Sequence, residues 1–288
     1  MLKIIITGAN GLLGKSMISL LKKENVNFIC LKTRIGSVKK DLLKIKEFSP
    51  DILFHFGALK ANKFSTSDSK KELYESNVTL TKQLSEFCKE NTIKIVYIST
   101  ADLYERFGEP FLEIDNLSQS ESTITGGYYG WTKFLGEDFI ASQNENFLIF
   151  RASTIYEKAN PMIYSCAQFL KNKDDLKKFI FNKKQYEMNF IRADFFAKAI
   201  LKISQKKKTI SKIYNFTSSF WINNFDIFNL CSKKFSVDSS YVKAEKFLEK
   251  RFNGSNSLIK KELGIEFQES NYLQDLKFYL ASKVIGGN

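Results

Sequence analysis

The sequence predicts an α/β fold, a doubly wound parallel sheet with a smaller C-terminal α/β lobe, and three observations carry that expectation. First, apolar runs of strand length recur along the first half: KIIITG (3–8), NFICLK (27–32), DILFHFGA (51–58), KIVYIST (94–100) and FLIFRAST (147–154). Second, helical patterns over 12–23, about 70–90 and 128–143 separate most of them. Third, the runs are continuously apolar rather than alternating, which marks strands buried on both faces by flanking helices. Only three prolines occur and no low-complexity linker, so no clean domain break is expected. After Tyr156 the pattern becomes irregular and aromatic-rich. It reads as a lobe of residues 156–188 and 218–288 built from excursions out of a main domain of residues 1–155, with 189–217 returning to that domain.

A chain of 288 residues buries roughly three quarters of its extended surface. Hydrophobic residues at 43% and aromatics at 14% exclude a disordered chain. No apolar run reaches membrane-spanning length, and MLKIIITGAN is too short and too soon polar for a signal peptide, so a cytoplasmic protein with no membrane partner is expected. Cys30, Cys88, Cys166 and Cys231 are scattered and His55 is the only histidine, which argues against a metal centre and a histidine-based triad. Free thiols in a reducing compartment are the expectation.

The formal charge of +13 comes from lysines spread along the whole chain. They form no stripe interleaved with aromatics, so nucleic acid is not an expected partner. Arginines number five, at 34, 106, 151, 192 and 251. In so lysine-rich a chain they are expected where a planar, bidentate fork is needed.

The turn TGANGLLG follows the first strand and opens a helix, with glycines at 8, 11 and 14. Glycine allows a tight turn and close approach to a pyrophosphate, and the helix N-terminus offers unpaired N–H groups and a positive dipole end. Strand, glycine turn and helix in this order point to a Rossmann-type dinucleotide site. The second strand ends in CLKTR, where NAD-binding chains place a carboxylate for the ribose 2′-hydroxyl. Lys32 and Arg34 stand there instead and would pair with a 2′-phosphate, which favours NADP(H) over NAD(H).

In GGYYGWTKFLGED (126–138), Tyr129 and Lys133 are four residues apart and share a helix face, whereas Tyr128 and Lys133 do not. A nearby ammonium lowers a phenol's pKa toward the range where it exchanges protons. Ser99 and Thr100 end a strand on the edge where open α/β sheets bind ligands, so a hydroxyl there could donate to a substrate carbonyl.

Taken together, TGANGLLG, HFGA, SNVTLTKQL, STADLY, YYGWTK, FRASTIY and NFIRADFFAKAI resemble, in order and over nearly the whole chain, the extended short-chain dehydrogenase/reductases. The resemblance implies an enzyme whose catalytic core is Thr100, Tyr129 and Lys133: Thr100 bonding the substrate, Tyr129 transferring a proton, and Lys133 tuning the phenol and holding nicotinamide ribose. It implies a cofactor bed of Gly8, Asn10, Gly11, Leu12, Leu13 and Gly14, with Asp41 and Leu42 bordering adenine and Phe56, Gly57 and Ala58 lining the cofactor. Asn77 matches an asparagine with a structural or proton-relay role. Homodimers, commonly through helices such as the one starting at Tyr128, are a further expectation.

The compact link TRIGSVKKDLLKIKEFS and the stretch YGWTKFLGE resemble the dTDP-4-dehydrorhamnose reductase branch, whose members reduce 4-keto nucleotide sugars in polysaccharide biosynthesis. KRFNGSNS resembles that branch's RPxNS motif, keeping Arg251, an expected phosphate clamp, but placing Phe252 where proline stands. Ala101 occupies the position of a dehydratase acid, and Asp102, at the next acidic position, is a candidate substrate contact. Alternatives are an NAD-dependent nucleotide-sugar epimerase or dehydratase and a non-catalytic NAD(P)-binding protein of the same fold.

Overall fold

The computed structural model describes residues 2–31, 38–60, 67–105, 109–115, 117, 127–162, 184–206, 212–235, 245–266 and 271–282. Strands β1 (Lys3–Thr7), β2 (Asn27–Leu31), β3 (Ile52–His55), β4 (Lys94–Thr100), β5 (Phe147–Ala152) and β9 (Lys212–Phe216) form one sheet in the order β2-β1-β3-β4-β5-β9. Every pairing in it is parallel. Strand order reverses beside β1, with β2 on one side and β3 on the other. That leaves a crevice at the carboxyl ends of β1 and β3, where ligands bind in such sheets.

Successive side chains of one strand enter opposite cores, which is why the apolar runs are continuous. Ile4 and Ile6 of β1, Val96 of β4 and Leu148 and Phe150 of β5 face a cluster closed by α1 (Leu12–Lys23) and by Ala193–Ser204, labelled α6 below. Ile5, Ile95, Tyr97 and Ile149 face the opposite cluster, which contains Leu80, Leu84 and Cys88 of α4 (Leu80–Glu90) and Ile140 of α5 (Gly127–Gln143).

The structure departs from the expected elements at three points. The link after the second strand contains a helix, α2 (Val38–Phe48), whose Ile45 is fully buried. The long helix expected over about 70–90 is α3 (Ser67–Tyr74) and α4 joined by a π-helical turn, Glu75–Thr79. FLIFRAST divides at Ser153: β5 stays in the main sheet, while β6 (Thr154–Tyr156) pairs with β8 (Phe190–Arg192).

A second sheet joins β7 (Lys184–Met188) to β10 (Ile222–Asn223) antiparallel and to β11 (Glu245–Arg251) parallel. Its core includes Tyr156, Phe190, Tyr272 and Leu276, contributed in part by α7 (Asn224–Phe235) and α9 (Tyr272–Ser282). Helix α8 (Ser257–Leu263) packs Ile259 into the first cluster.

A buried ion pair ties α5 to the sheet. The Arg151 guanidinium donates from Nε and Nη2 to the Glu137 carboxylate, with Nη2 to Oε2 at 2.8 Å. Its Nη1 donates to the Tyr104 hydroxyl at 2.8 Å, and that hydroxyl donates to Asn215 Oδ1. Each polar atom in this chain finds a partner, as a low-dielectric site demands.

Candidate active site

Two cavities open along the carboxyl edge of the main sheet and share Gly8, Gly11 and Ala58. The first, of about 600 Å³, brings together Gly8, Gly11, Leu12, Leu13, Gly14, Phe56, Ala58, Thr100, Asp102, Tyr129 and Lys133. The second, of about 830 Å³, adds Asn10 and Gly57.

Their common floor is the β1–α1 turn. Gly8 has φ +70°, and a Cβ there would lie 2.5 Å from Gly57 N, so the two loops approach too closely for any side chain. A Cβ on Gly14 would lie 2.3 Å from Gly8 O. Gly11 caps α1 without a side-chain hydrogen bond, and the first turn holds no acidic residue, so its N–H groups and dipole end face the cavity unopposed. The backbone therefore suits a pyrophosphate.

A directional hydrogen-bond chain runs behind this floor. Gly57 N–H donates to Thr7 Oγ1 (3.2 Å), which lies 2.7 Å from His55 Nδ1; His55 Nε2 lies 2.9 Å from Thr81 Oγ1, which donates to Asn77 O at 2.6 Å. Thr81 spends its proton on the carbonyl, so it accepts from Nε2, and His55 is the neutral Nε2–H tautomer with Nδ1 accepting from Thr7. Burial, and then the Lys133 charge, lower its pKa to about 3. The unfolded imidazole takes a proton below about 6.5 and the folded one does not, so stability should fall as pH drops from 6.5 toward 3, by about 1.4 kcal/mol per pH unit. As the chain has one histidine, its imidazole NMR signals should hold the Nε2–H pattern from pH 8 to pH 5. A signal that titrates near 6.5 would show that this chain is misassigned.

Asn77, in the π-helical turn, accepts from Leu59 N–H (2.8 Å) and donates to Leu59 O and to Thr132 Oγ1 (3.2 Å). Thr132 donates to Tyr129 O. Asn77 thus holds the loop after β3 against the helix that carries Tyr129, the structural half of its expected role.

At the chemistry end, Thr100 Oγ1 accepts from Asp102 N–H at 3.1 Å, capping the short 3₁₀ turn Ala101–Leu103, and keeps its own proton to donate. The Tyr129 phenol is held above its ordinary value by burial and then by the Asp102 carboxylate. That corrects the expected downward pull of Lys133, whose Nζ stands 3.9 Å from the Tyr97 ring centroid. Burial lowers Lys133 itself to about 7, with Glu137 opposing the shift and Lys60 adding to it. The resting phenol is protonated at neutral pH.

Other expectations fall elsewhere. Asp41 and Leu42 line neither cavity; Asp41 is buried in α2, and Leu42 packs against the cluster around Ile5 and Leu31. Arg251 lines neither cavity, its guanidinium stacking 3.9 Å from the Tyr186 ring centroid. Lys32 and Arg34 lie outside the described residues. The first cavity includes Ser99, which the sequence had placed beside Thr100, and the structure adds Lys60, Ser153, Thr154 and Phe252 to it and Glu72 to the second. Ser99 and Ser153 are 4% and 5% exposed, and their hydroxyls have no partner among the described residues. The rule that placed Ser99 and Thr100, a strand's carboxyl end, would have found Ser153 as well. Among the described residues no cluster could hold a metal ion, and no helix is long and apolar enough to cross a membrane.

The family model described as the RmlD substrate binding domain matches residues 2–254. Among solved structures, a dTDP-4-dehydrorhamnose reductase from Clostridium acetobutylicum is 21% identical with a TM-score of 0.71, over 97% of this chain and 99% of that one. One from Bacillus anthracis, in complex with NADP, is 17% identical with a TM-score of 0.71, over 98% and 99%. The Bordetella bronchiseptica enzyme WbmG, in complex with NAD and UDP, is 15% identical with a TM-score of 0.74, over 96% and 94%. No curated protein matches.

Proposed function

Because the chain belongs to the RmlD substrate binding domain family, within the extended short-chain dehydrogenase/reductases, we propose that it reduces a 4-keto nucleotide sugar with NADP(H). The observation that carries this reading is one cavity joining the glycine turn to Thr100, Tyr129 and Lys133. The bound nicotinamide supplies hydride. Gly8, Gly11 and Gly14 with the α1 N-terminus hold the pyrophosphate. Thr100 donates a hydrogen bond to the carbonyl oxygen, fixing it beside the phenol. Tyr129, kept protonated by burial and Asp102, gives its proton to that oxygen as negative charge develops. Lys133 lines the same cavity, and negative charge developing there favours its ammonium form. Ser99 and Ser153 offer two further hydroxyls to ligand polar groups.

The test is cofactor oxidation. With dTDP-4-keto-6-deoxyglucose, one NADPH should be consumed per sugar reduced, and NADH should serve less well. A specific observation favours a second reading: the Glu72 carboxylate borders the second cavity, where it would repel a 2′-phosphate and suit NAD. Epimerase or dehydratase turnover without added cofactor would establish that reading and remove the first.

A further inference from the structure

Four non-glycine residues among those described have positive φ: Asn25, Ser49, Thr92 and Phe252. The first three follow the C-termini of α1, α2 and α4, where a left-handed residue commonly ends a helix. Phe252 (φ +62°) ends a strand instead, and it is the bulky one. A proline at this position, locked near φ −65°, could not adopt the conformation at all. Strain of this kind persists only where the surroundings over-determine it, and it gathers at ligand sites.

The surroundings here do so. Phe252 O accepts from Gly254 N–H at 2.8 Å and from Asn189 Nδ2 at 3.3 Å. Asn253 O accepts from Phe111 N–H, Ser255 N–H donates to Phe111 O, and Thr217 Oγ1 donates to Gly254 O. Three separate segments thus pin the turn. The ring packs partly against the core of the second sheet and otherwise lines the first cavity. The other described residues lining that cavity come from the main sheet, its connections, α1, α5 and the strand that leaves it at Ser153, so among the described residues Phe252 is the one that reaches it from the second lobe.

We propose that Phe252 is the specificity-determining wall of the cleft, its ring lying against the C–H face of the substrate's sugar while Thr100 and Tyr129 address the polar edge. This deepens the proposed function and rests on it. A pyranose presents apolar C–H patches on its faces and hydroxyls around its edge, and an aromatic ring favours such a patch while disfavouring a charged substituent there.

The test is titration calorimetry of the full chain and the variants Phe252→Gly and Phe252→Leu. UDP-glucose and dTDP-glucose serve as stable probes, with UDP, dTDP and NADPH as comparators. Glycine accepts the left-handed backbone, which offsets part of the packing lost with the ring, so F252G should still fold, with a Tm below the parent's. Its Kd for the better sugar nucleotide should rise about tenfold, with F252L intermediate. Kd values for the free nucleotides and NADPH should stay within about twofold, a difference too small to count as a contact. An unchanged sugar-nucleotide Kd in F252G overturns the proposal, as does an equal loss with free nucleotide or with NADPH. A parent chain that binds NADPH but neither sugar nucleotide overturns the proposed function along with it, an outcome visible before any variant is made.

Discussion

Replacing Tyr129 with phenylalanine is expected to cut turnover of a 4-keto nucleotide sugar by about 100- to 10,000-fold, with cofactor affinity little changed. The substitution removes one oxygen from a ring that is otherwise packed, and Thr132 bonds the Tyr129 carbonyl, which the variant keeps. Because burial and Asp102 both hold the phenol above its ordinary value, the variant removes a group that is protonated at neutral pH. Stopped-flow NADPH oxidation with separate measurement of cofactor Kd checks the split. Equal turnover in Tyr129→Phe would mean that the proton comes from another group, and Asp102 in the same cavity would be the next to test.

Glu137→Ala should cost about 3–5 kcal/mol of stability, because it strands the Arg151 guanidinium in a site where both side chains are at most 5% exposed. Urea unfolding measures it. The damage should reach further than the pair: Arg151 also orders the Tyr104 hydroxyl, which reaches Asn215 on β9. Replacing both charges with apolar residues of similar volume should restore much of the loss, since the penalty lies in the uncompensated charge. If Glu137→Ala unfolds at the parent's midpoint, the pair contributes nothing net.

Much of this was legible because it depends on local spacing. Strands buried on both faces leave continuous apolar runs, and a phosphate turn leaves glycines at positions 8, 11 and 14 whose crowding the backbone bears out at two of them. Scarce arginines did mark forks, at Arg151 with Glu137 and at Arg192 with Asp194. Helical geometry chose Tyr129 over Tyr128 as the cavity residue; Tyr128 instead stacks near Trp131. Gly127, which precedes the tyrosines, starts α5 at φ +58°, a conformation that favours glycine; Gly126 lies outside the described residues.

What stayed hidden depends on burial and on distant segments. The sign of the Tyr129 shift could not be read from a four-residue spacing, because burial and the Asp102 carboxylate set it. His55 carried no local signal of its four-part chain, since its partners lie 48 residues before it and 26 after. Helix α2 is the exception, since Val38, Leu42, Ile45 and Phe48 recur at helical spacing among its lysines and were legible. Phe252 enters the cleft by way of contacts with residues 111, 189 and 217 that no sequence window spans.

The pinning of the 252–255 turn onto Phe111 and Thr217 also sets an order of events during synthesis. The glycines of the floor, Gly8, Gly14 and Gly57, emerge within the first sixty residues, but the core beneath β1 also needs Phe150, Phe196 and Phe216. The turn that carries Phe252 follows roughly 200 residues after the floor, about 10–40 s at ordinary translation speeds. For that interval the cavity lacks the wall that Phe252 supplies. Closing the cavity is therefore a late event of chain growth, set by the lining residue farthest in sequence from the turn it faces.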